Sequence, residues 1–333
     1  MTQSGSGRIG QSLFDPDGLT GDGAERLRMA TTRIVVIGAG GWLGLATLEL
    51  LRRLLGEGAF NDRVLCFGSQ ARTLRLRGGG EVAQQPLSTL ASLPCVPSLV
   101  LHLAYLTQEK ARAMTDDAYM AANRAISGQV LDALDIIGAV AVFLPSSGAV
   151  YAVDSPWAAA SMRLYGRLKL EDEARFAEWA QARDARAVIV RVFNLAGPYI
   201  NKQSSYALSS FIADALAGRD IEIKATKPVV RSYVAISEMM SLVFAVLTDG
   251  DAGVESFDTA GDVTQEMAEI AVRVQSLVAP NLRVRRPPLE AIPEDRYVGD
   301  GETYRALRAK YHVAPVDFSQ QVLETARYMA DEA

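Results

Sequence analysis

A segment read as a buried strand, Arg33–Ile37, passes directly into Gly38-Ala39-Gly40-Gly41-Trp42-Leu43-Gly44, and a helical pattern continues from Trp42 to Leu55. A buried strand, a glycine turn and a helix in that order commit this part of the chain to a βα unit. Glycines at 38, 41 and 44 let the backbone turn tightly and come close to a bulky anion. The helix start then offers free N–H groups and the positive end of its dipole. The pattern points to the pyrophosphate of a dinucleotide, with Gly38, Gly41, Trp42, Leu43 and Gly44 around it. The Trp42 side chain is read as packing against the sheet. The alternative is a tight turn that holds no ligand.

Short β-branched runs alternate with helical patterns through the first two thirds of the chain. Strands are expected at Val64–Phe67, Leu99–Ala104, Ala139–Leu144 and Ala187–Phe193, and helices near Asp117–Ile137 and Arg163–Arg183. Continuous apolar strands separated by helices imply an α/β fold, a doubly wound parallel sheet covered on both faces. Gly78–Gly80 reads as a turn. The pattern changes at about Gly197, so residues 32–196 are expected to form the dinucleotide-binding domain, with returning segments near 230–260. Residues 197–229 and 261–333 would form a smaller substrate-binding domain. The polar, Gly-rich residues 1–31 lack an apolar signal-peptide core and are read as a flexible tail.

Tyr165 and Lys169 lie four residues apart in Tyr-Gly-Arg-Leu-Lys, so a helix puts both on one face. A cation beside a phenol favours the phenolate, and a tuned tyrosine can give or take a proton at a carbinol or ketone. A solvated helix face is the plain alternative. The second strand ends Phe67-Gly68-Ser69-Gln70-Ala71-Arg72, with no carboxylate to select a ribose 2′-hydroxyl. Ser69 and Arg72 could instead hold a 2′-phosphate, which favours NADP and leaves NAD possible; the alternative is Arg72 as a surface charge.

With these residues in place, the chain resembles an extended short-chain dehydrogenase/reductase of the NAD-dependent epimerase/dehydratase family, whose members act on nucleotide sugars. His102-Leu103-Ala104 resembles its His-Leu-Ala-Ala, which places Leu103 and Ala104 at the cofactor. Asn123 opens a stretch similar to its Asn-x-x-Gly-Thr helix, with Ile126 in place of the glycine. Pro145-Ser-Ser-Gly-Ala-Val-Tyr151 matches the catalytic strand and makes Ser147 the catalytic hydroxyl. Arg191-Val-Phe-Asn-Leu-Ala-Gly-Pro198 matches Arg-x-Phe-Asn-x-x-Gly-Pro, which implies Asn194 at the substrate and Pro198 near the nicotinamide. Arg231-Ser-Tyr-Val-Ala-Ile-Ser-Glu238 resembles the segment whose arginine binds the diphosphate; Arg231 could instead pair with Glu238.

The resemblance implies catalysis by Ser147, Tyr165 and Lys169, with Lys169 lowering the Tyr165 pKa and holding the nicotinamide ribose. Gly148 and Ala149 stand where the family's 4,6-dehydratases carry Asp-Glu, so dehydration is disfavoured. Ala149 also stands where a cysteine serves C3 and C5 epimerisation. The family's Arg-Pro-Gly-Asp segment does not appear cleanly, and Arg285 or Arg286, before two prolines, is read as its substitute. Net reduction of a 4-keto sugar is the first reading and C4 epimerisation with retained cofactor the second. A non-catalytic NADP(H) sensor is the reading from another class, and it has no use for the proton-transfer set. The helices near Asp117–Ile137 and Arg163–Arg183 resemble those that pair in family homodimers.

Composition limits the partners. At 333 residues with a net charge of −5, the chain offers no basic footprint for nucleic acid. No apolar run reaches the ~18 residues of a membrane span. His102 and His312 are the only histidines and have no cysteine at ligand spacing, so no metal site is expected. Cys66 and Cys95 are read as reduced core thiols of a cytoplasmic protein, and His102 as a buried, hydrogen-bonded side chain rather than a catalyst.

Overall fold

In the computed structural model, which describes residues 18–106 and 114–331, β1 (Arg33–Ile37) is buried at all five positions. That explains the apolar run from Ile34 to Ile37. It shares a sheet with β2 (Val64–Gly68), β3 (Arg72–Arg75), β4 (Glu81–Pro86), β5 (Ser98–His102), β6 (Ala139–Ser147), β7 (Arg186–Val192) and β12 (Gly253–Asp258). The order of these eight strands is β12-β7-β6-β5-β1-β2-β4-β3. All pairings are parallel except β3 with β4, a hairpin closed across the expected turn at Gly78–Gly80.

The sheet has a different core on each face. Ile34, Val36, Leu99, Leu101, Phe143 and Val188 enter one cluster, and Val35, Ile37, Val100, Val142, Leu144 and Ala187 enter the other. This is the two-residue period of a strand with both faces covered. Helix α2 (Trp42–Arg63) packs on the first face, with α1 (Gly21–Met29) and α6 (Ile236–Leu247); α3 (Asp116–Leu134) and α4 (Ala160–Arg183) pack on the second. Strand order reverses at β1, with β2 on one side and β5 on the other. Crevices outside the carboxyl ends of such strands are where open α/β sheets bind ligands.

The remaining chain forms small elements: β8 (Leu195–Ala196), α5 (Ala207–Leu216), β9 (Ile221–Glu222), β10 (Val229–Arg231), β11 (Val234–Ala235), β13 (Gln265–Glu266), α7 (Met267–Val278), β14 (Val284–Arg285), β15 (Asp295–Tyr297), α8 (Gly301–Lys310) and α9 (Phe318–Asp331). Strands β13, β10 and β15 make a three-stranded sheet, and β12 returns to the large sheet beside β7.

Two expectations are corrected. Within the stretch read as a tail, residues 21–29 are helical: Ala24 and Leu27 are buried, and the Arg26 guanidinium donates to the Ala245 carbonyl at 2.8 Å and to Thr248 Oγ1 at 3.0 Å. Two buried apolar side chains in a polar nonapeptide were too faint a pattern to read, and residues 1–17 lie outside the described residues. Cys66 is buried on β2, but Cys95 is exposed in the loop before β5 and is no core thiol. Among the described residues, no helix is long and apolar enough to cross a membrane, and no cluster of side chains is fit to hold a metal.

Candidate active site

The chain turns out of β1 at Gly38, whose φ of 84° favours glycine. The turn is tight on its inner side. A side chain at Gly38 would lie 2.6 Å from the Ala104 nitrogen, and one at Gly44 would lie 2.5 Å from the Gly38 and Ala39 carbonyl oxygens. At Gly41, which caps α2 without a side-chain bond, a Cβ would meet only the Gly38 oxygen at 3.4 Å. Leu103 donates its N–H to the Ile37 carbonyl at 2.8 Å, which brings Leu103 and Ala104 against this turn. The Trp42 indole donates to the Pro198 carbonyl at 2.8 Å, so it ties the helix start to the loop after β8. Ser69 is exposed beyond β2, and Arg72 on β3 donates to the Gly40 carbonyl at 3.3 Å. A bare helix N-terminus behind glycines, with a guanidinium over the turn, is a donor set that fits a dinucleotide and its phosphates.

Ser147 ends β6. Its Oγ accepts the Ala149 N–H at 3.2 Å and lies 3.3 Å from the Tyr297 hydroxyl. Tyr165 and Lys169 share one face of α4. Lys169 is buried and donates to the Pro145 carbonyl at 3.0 Å, while its ammonium sits 3.7 Å from the centre of the Tyr105 ring. The Tyr105 ring meets the Tyr165 ring edge-on, with centroids 5.5 Å apart. Burial pulls Lys169 down to about 8, against the pull of Asp172 and Glu173.

The expectation that Lys169 lowers the Tyr165 pKa is not met. Burial, with Tyr119 and Tyr297 nearby, pushes the phenol above its ordinary range, and the hydrogen bond with Ser147 opposes this only in part. The ammonium is 5.8 Å from the Tyr165 ring centre and turned to the Pro145 carbonyl. Desolvation of the phenol therefore outweighs the distant cation, and Tyr165 stands as a neutral proton donor.

Two polar networks brace this cluster. Glu173, one turn beyond Lys169, takes the Arg191 guanidinium at 3.0 and 2.8 Å and also accepts from the Ser146 hydroxyl. Arg191 donates to the Tyr151 hydroxyl at 2.8 Å, which donates to Asp258 at 3.0 Å, so β7, the turn after β6 and β12 are joined. Asp172 accepts the Ser127 hydroxyl at 2.9 Å, and Ser127 Oγ lies 3.4 Å from Nε2 of His102. His102 is buried, stacked on Phe176 and pulled down to about 3, first by burial and then by Lys169 and Arg175.

Asn194 and Arg231 open onto a neighbouring cavity of about 530 Å³, lined also by Trp42, Tyr206, Lys224 and Tyr233. The Asn194 amide donates to the Ser232 and Tyr297 carbonyls at 3.1 and 3.3 Å. Arg231 bonds Asp295 rather than Glu238, which is paired with Arg308 inside the protein. Arg285 and Arg286 do not stand in for the missing segment. Arg285 is held by Asp220 and Arg286 by both oxygens of Glu266, and neither lines the cavity. Phe193 covers Gly148 so closely that a Cβ there would lie 2.5 Å from its ring, and Ala149 is buried. A carboxylate at position 148 would have to displace the Phe193 ring.

A sequence reading missed Tyr105, Tyr297, Tyr206 and Lys224. Tyr105 left a signal, since it stands where the resembling motif has its second alanine. Tyr297 left none, being 150 residues from Ser147.

A family model, described as the NAD dependent epimerase/dehydratase family, matches residues 34–259. The chain belongs to that family. It is thus an extended short-chain dehydrogenase/reductase, with the Rossmann-like α/β fold of the class. UDP-glucuronic acid decarboxylase 3 of Arabidopsis thaliana is 29% identical over 107 residues, 32% of this chain and 30% of that protein. The chain therefore matches under a third of the length of this relative. UDP-N-acetylglucosamine 4-epimerase from Methanobrevibacter ruminantium, in complex with UDP-N-acetylmuramic acid, superposes with a TM-score of 0.69. It is 16% identical, over 91% of this chain and 99% of that one. The dTDP-glucose 4,6-dehydratase DesIV from Streptomyces venezuelae, with NAD bound, gives a TM-score of 0.65 at 19% identity, over 90% of this chain and 97% of that one.

Proposed function

We propose that this family member is an NADP-dependent oxidoreductase that reduces the C4 ketone of a nucleotide-diphosphate sugar. The observation that carries this reading is the convergence of Ser147, at the end of β6, with Tyr165 and the buried Lys169 ammonium on one face of α4, at the carboxyl end of the sheet. Arg72 over the glycine turn supports NADP. Gly38, Gly41, Trp42, Leu43 and Gly44 would hold the pyrophosphate, Ser69 and Arg72 the 2′-phosphate, and Leu103, Ala104, Pro198 and Lys169 the nicotinamide half. When bound, the dinucleotide supplies or accepts a hydride.

The chain's own residues do the rest. Ser147 and Tyr165 hydrogen-bond the reacting sugar oxygen, and Tyr165 delivers its proton as negative charge builds there. Lys169 offsets the phenolate that forms. Asn194 positions the substrate, while Arg231 and Lys224 draw the diphosphate into the cavity. The fold relationship to a 4-epimerase keeps C4 epimerisation as the second reading. A 4-keto-6-deoxy nucleotide sugar with NADPH separates the two. Stoichiometric loss of the nicotinamide absorbance is expected; interconversion of C4 epimers without net loss would make the enzyme an epimerase.

A homodimer belongs to the same reading. Helices α3 and α4 are cross-linked by the Arg124–Glu171 pair at 2.8 Å, and α4 leaves Met162 and Leu170 partly exposed on its outer side. A twofold pairing of these helices would cover them. Light scattering at micromolar concentration should give twice the chain mass, and a monomer mass would reject it.

A further inference from the structure

We propose that Tyr105 is a positioning residue whose ring face holds the Lys169 ammonium in its charged form and in its place beside Tyr165. The inference deepens the proposed function and rests on it only for its catalytic consequence. Lys169 is 4% exposed, and among the described residues it makes no ion pair; its neighbours are the Pro145 carbonyl and the Tyr105 ring, 3.7 Å from the ring centre. The nearby carboxylates are engaged elsewhere. Asp172 accepts from Ser127 and lies 3.8 Å from Arg175, and Glu173 is gripped by Arg191 and Ser146. A cation taken out of water gains most from an aromatic face when little else solvates it.

The ring is placed by the residue that follows it and by α3. The Leu106 N–H donates to Asn123 Oδ1 at 2.9 Å, and the Tyr119 hydroxyl donates to the Leu106 carbonyl at 2.9 Å. Asn123 in turn donates to the Tyr119 carbonyl at 3.1 Å. Helix α3 thus clamps the residue after Tyr105, and the Tyr165 ring abuts its side edge-on. This gives Asn123, noted in the sequence without a role, a task at the site.

The groups that bear on the Lys169 charge come from each neighbouring element. Tyr165, Asp172, Glu173 and Arg175 lie on α4 itself; His102 and Tyr105 come from the end of β5, Tyr119 from α3, and Arg191 from β7 through Glu173. His102 is neutral, and the two carboxylates favour the ammonium from a distance. Removing the ring leaves burial opposed by those carboxylates, the Pro145 carbonyl and the more distant Tyr165 ring.

The test reads Lys169 directly, with neither cofactor nor substrate. The chain has six lysines, so ¹³Cε-lysine labelling gives six signals, and Lys169→Arg identifies the one of interest. In the parent its midpoint should lie near 8. Tyr105→Phe keeps the ring and should stay within about 0.3 unit, whereas Tyr105→Leu should fall by about one unit. The other five signals and the thermal midpoint report whether Tyr105→Leu is folded. If it is not, pentafluorophenylalanine at position 105 keeps the ring's shape while reversing its quadrupole, and should lower the midpoint in the same way. A leucine or pentafluorophenylalanine variant with an unchanged or raised midpoint overturns the proposal, as does a phenylalanine variant that falls as far as leucine. The basic limb of kcat in Tyr105→Leu should move down by the same unit. Failure of the keto-sugar assay would reject the proposed reaction and leave the lysine titration standing; failure of the titration would leave the reaction standing.

Discussion

The two halves of the candidate site are built from different material. Ser147, Tyr165 and Lys169 project from a nine-residue strand and a 24-residue helix in the middle of the molecule. Their neighbours Ser146, Ser127, Asp172, Glu173 and Arg191 are tied into networks that span four elements. Asn194 and Arg231 stand instead on or beside strands of two or three residues, around a cavity with mixed walls, and Tyr297 lies on another such strand against Asn194. Proton transfer tolerates little misplacement, and long packed elements supply the rigidity it needs. Recognition of a particular sugar and nucleotide can rest on loops and short strands, which accept substitution more readily. One half of the site therefore speaks to the reaction and the other to the substrate.

The sharpest way to break this division is Tyr165→Phe. It removes only a hydroxyl from the rigid half, and kcat should fall about 10²- to 10⁴-fold, the range for a lost general acid. Cofactor affinity, read by calorimetry, should barely change. A variant within a few fold of the parent would show that the proton moves by another route.

Arg231→Ala attacks the other half. One hydrogen-bonded charge lost from the diphosphate should raise KM for the nucleotide sugar about 10- to 100-fold, with kcat within a few fold. A drop confined to kcat would mean that Arg231 serves the chemistry and that the two halves are not separate. Asp295 sets a limit on the effect, since it already takes part of the Arg231 donor capacity at 2.7 and 3.2 Å.

The same contrast decides what could be read from sequence. The parallel sheet, the glycine turn and the Tyr165–Lys169 pair were legible because each is a local pattern with a fixed period. Helix α1 was not, since two buried side chains among polar residues carry too little periodicity. Tyr297 reaches Ser147 only through the folding of the C-terminal third, and nothing local marks it. Arg285 and Arg286 looked suited to a phosphate by composition, but Asp220 and Glu266 claim them in three dimensions. The pKa of Tyr165 failed for a related reason: spacing shows that a lysine is near, and only the fold shows how deeply the phenol is buried.

Arg72→Ala probes the cofactor end of the rigid half at its exposed edge. Loss of one guanidinium from a 2′-phosphate should weaken NADP about tenfold and leave NAD unchanged. Equal affinity of the variant and the parent for NADP would assign the Arg72–Gly40 contact to holding the turn alone.

The smallest effect is the most diagnostic of the rigid half, because it separates chemistry from folding. Lys169 has its folded pKa lowered to about 8 from the ordinary 10.5, first by burial. Below 8 the ammonium is charged in both folded and unfolded chains, and its burial costs stability. Between about 8 and 10.5 the folded chain gives up the proton while the unfolded chain keeps it. The unfolded state then binds more protons, so the contribution of Lys169 to stability rises with pH across that window. Catalysis needs the charge, so activity should move the other way, falling about fourfold between pH 7 and 8.5. Rates and thermal midpoints measured together at pH 7, 8 and 9 check this. Activity that is flat to pH 9 would show that the charge on Lys169 is not required. A loss of rate that tracks a falling midpoint would place the effect in unfolding, and a loss of rate at constant or rising midpoint would place it at the ammonium beneath Tyr105.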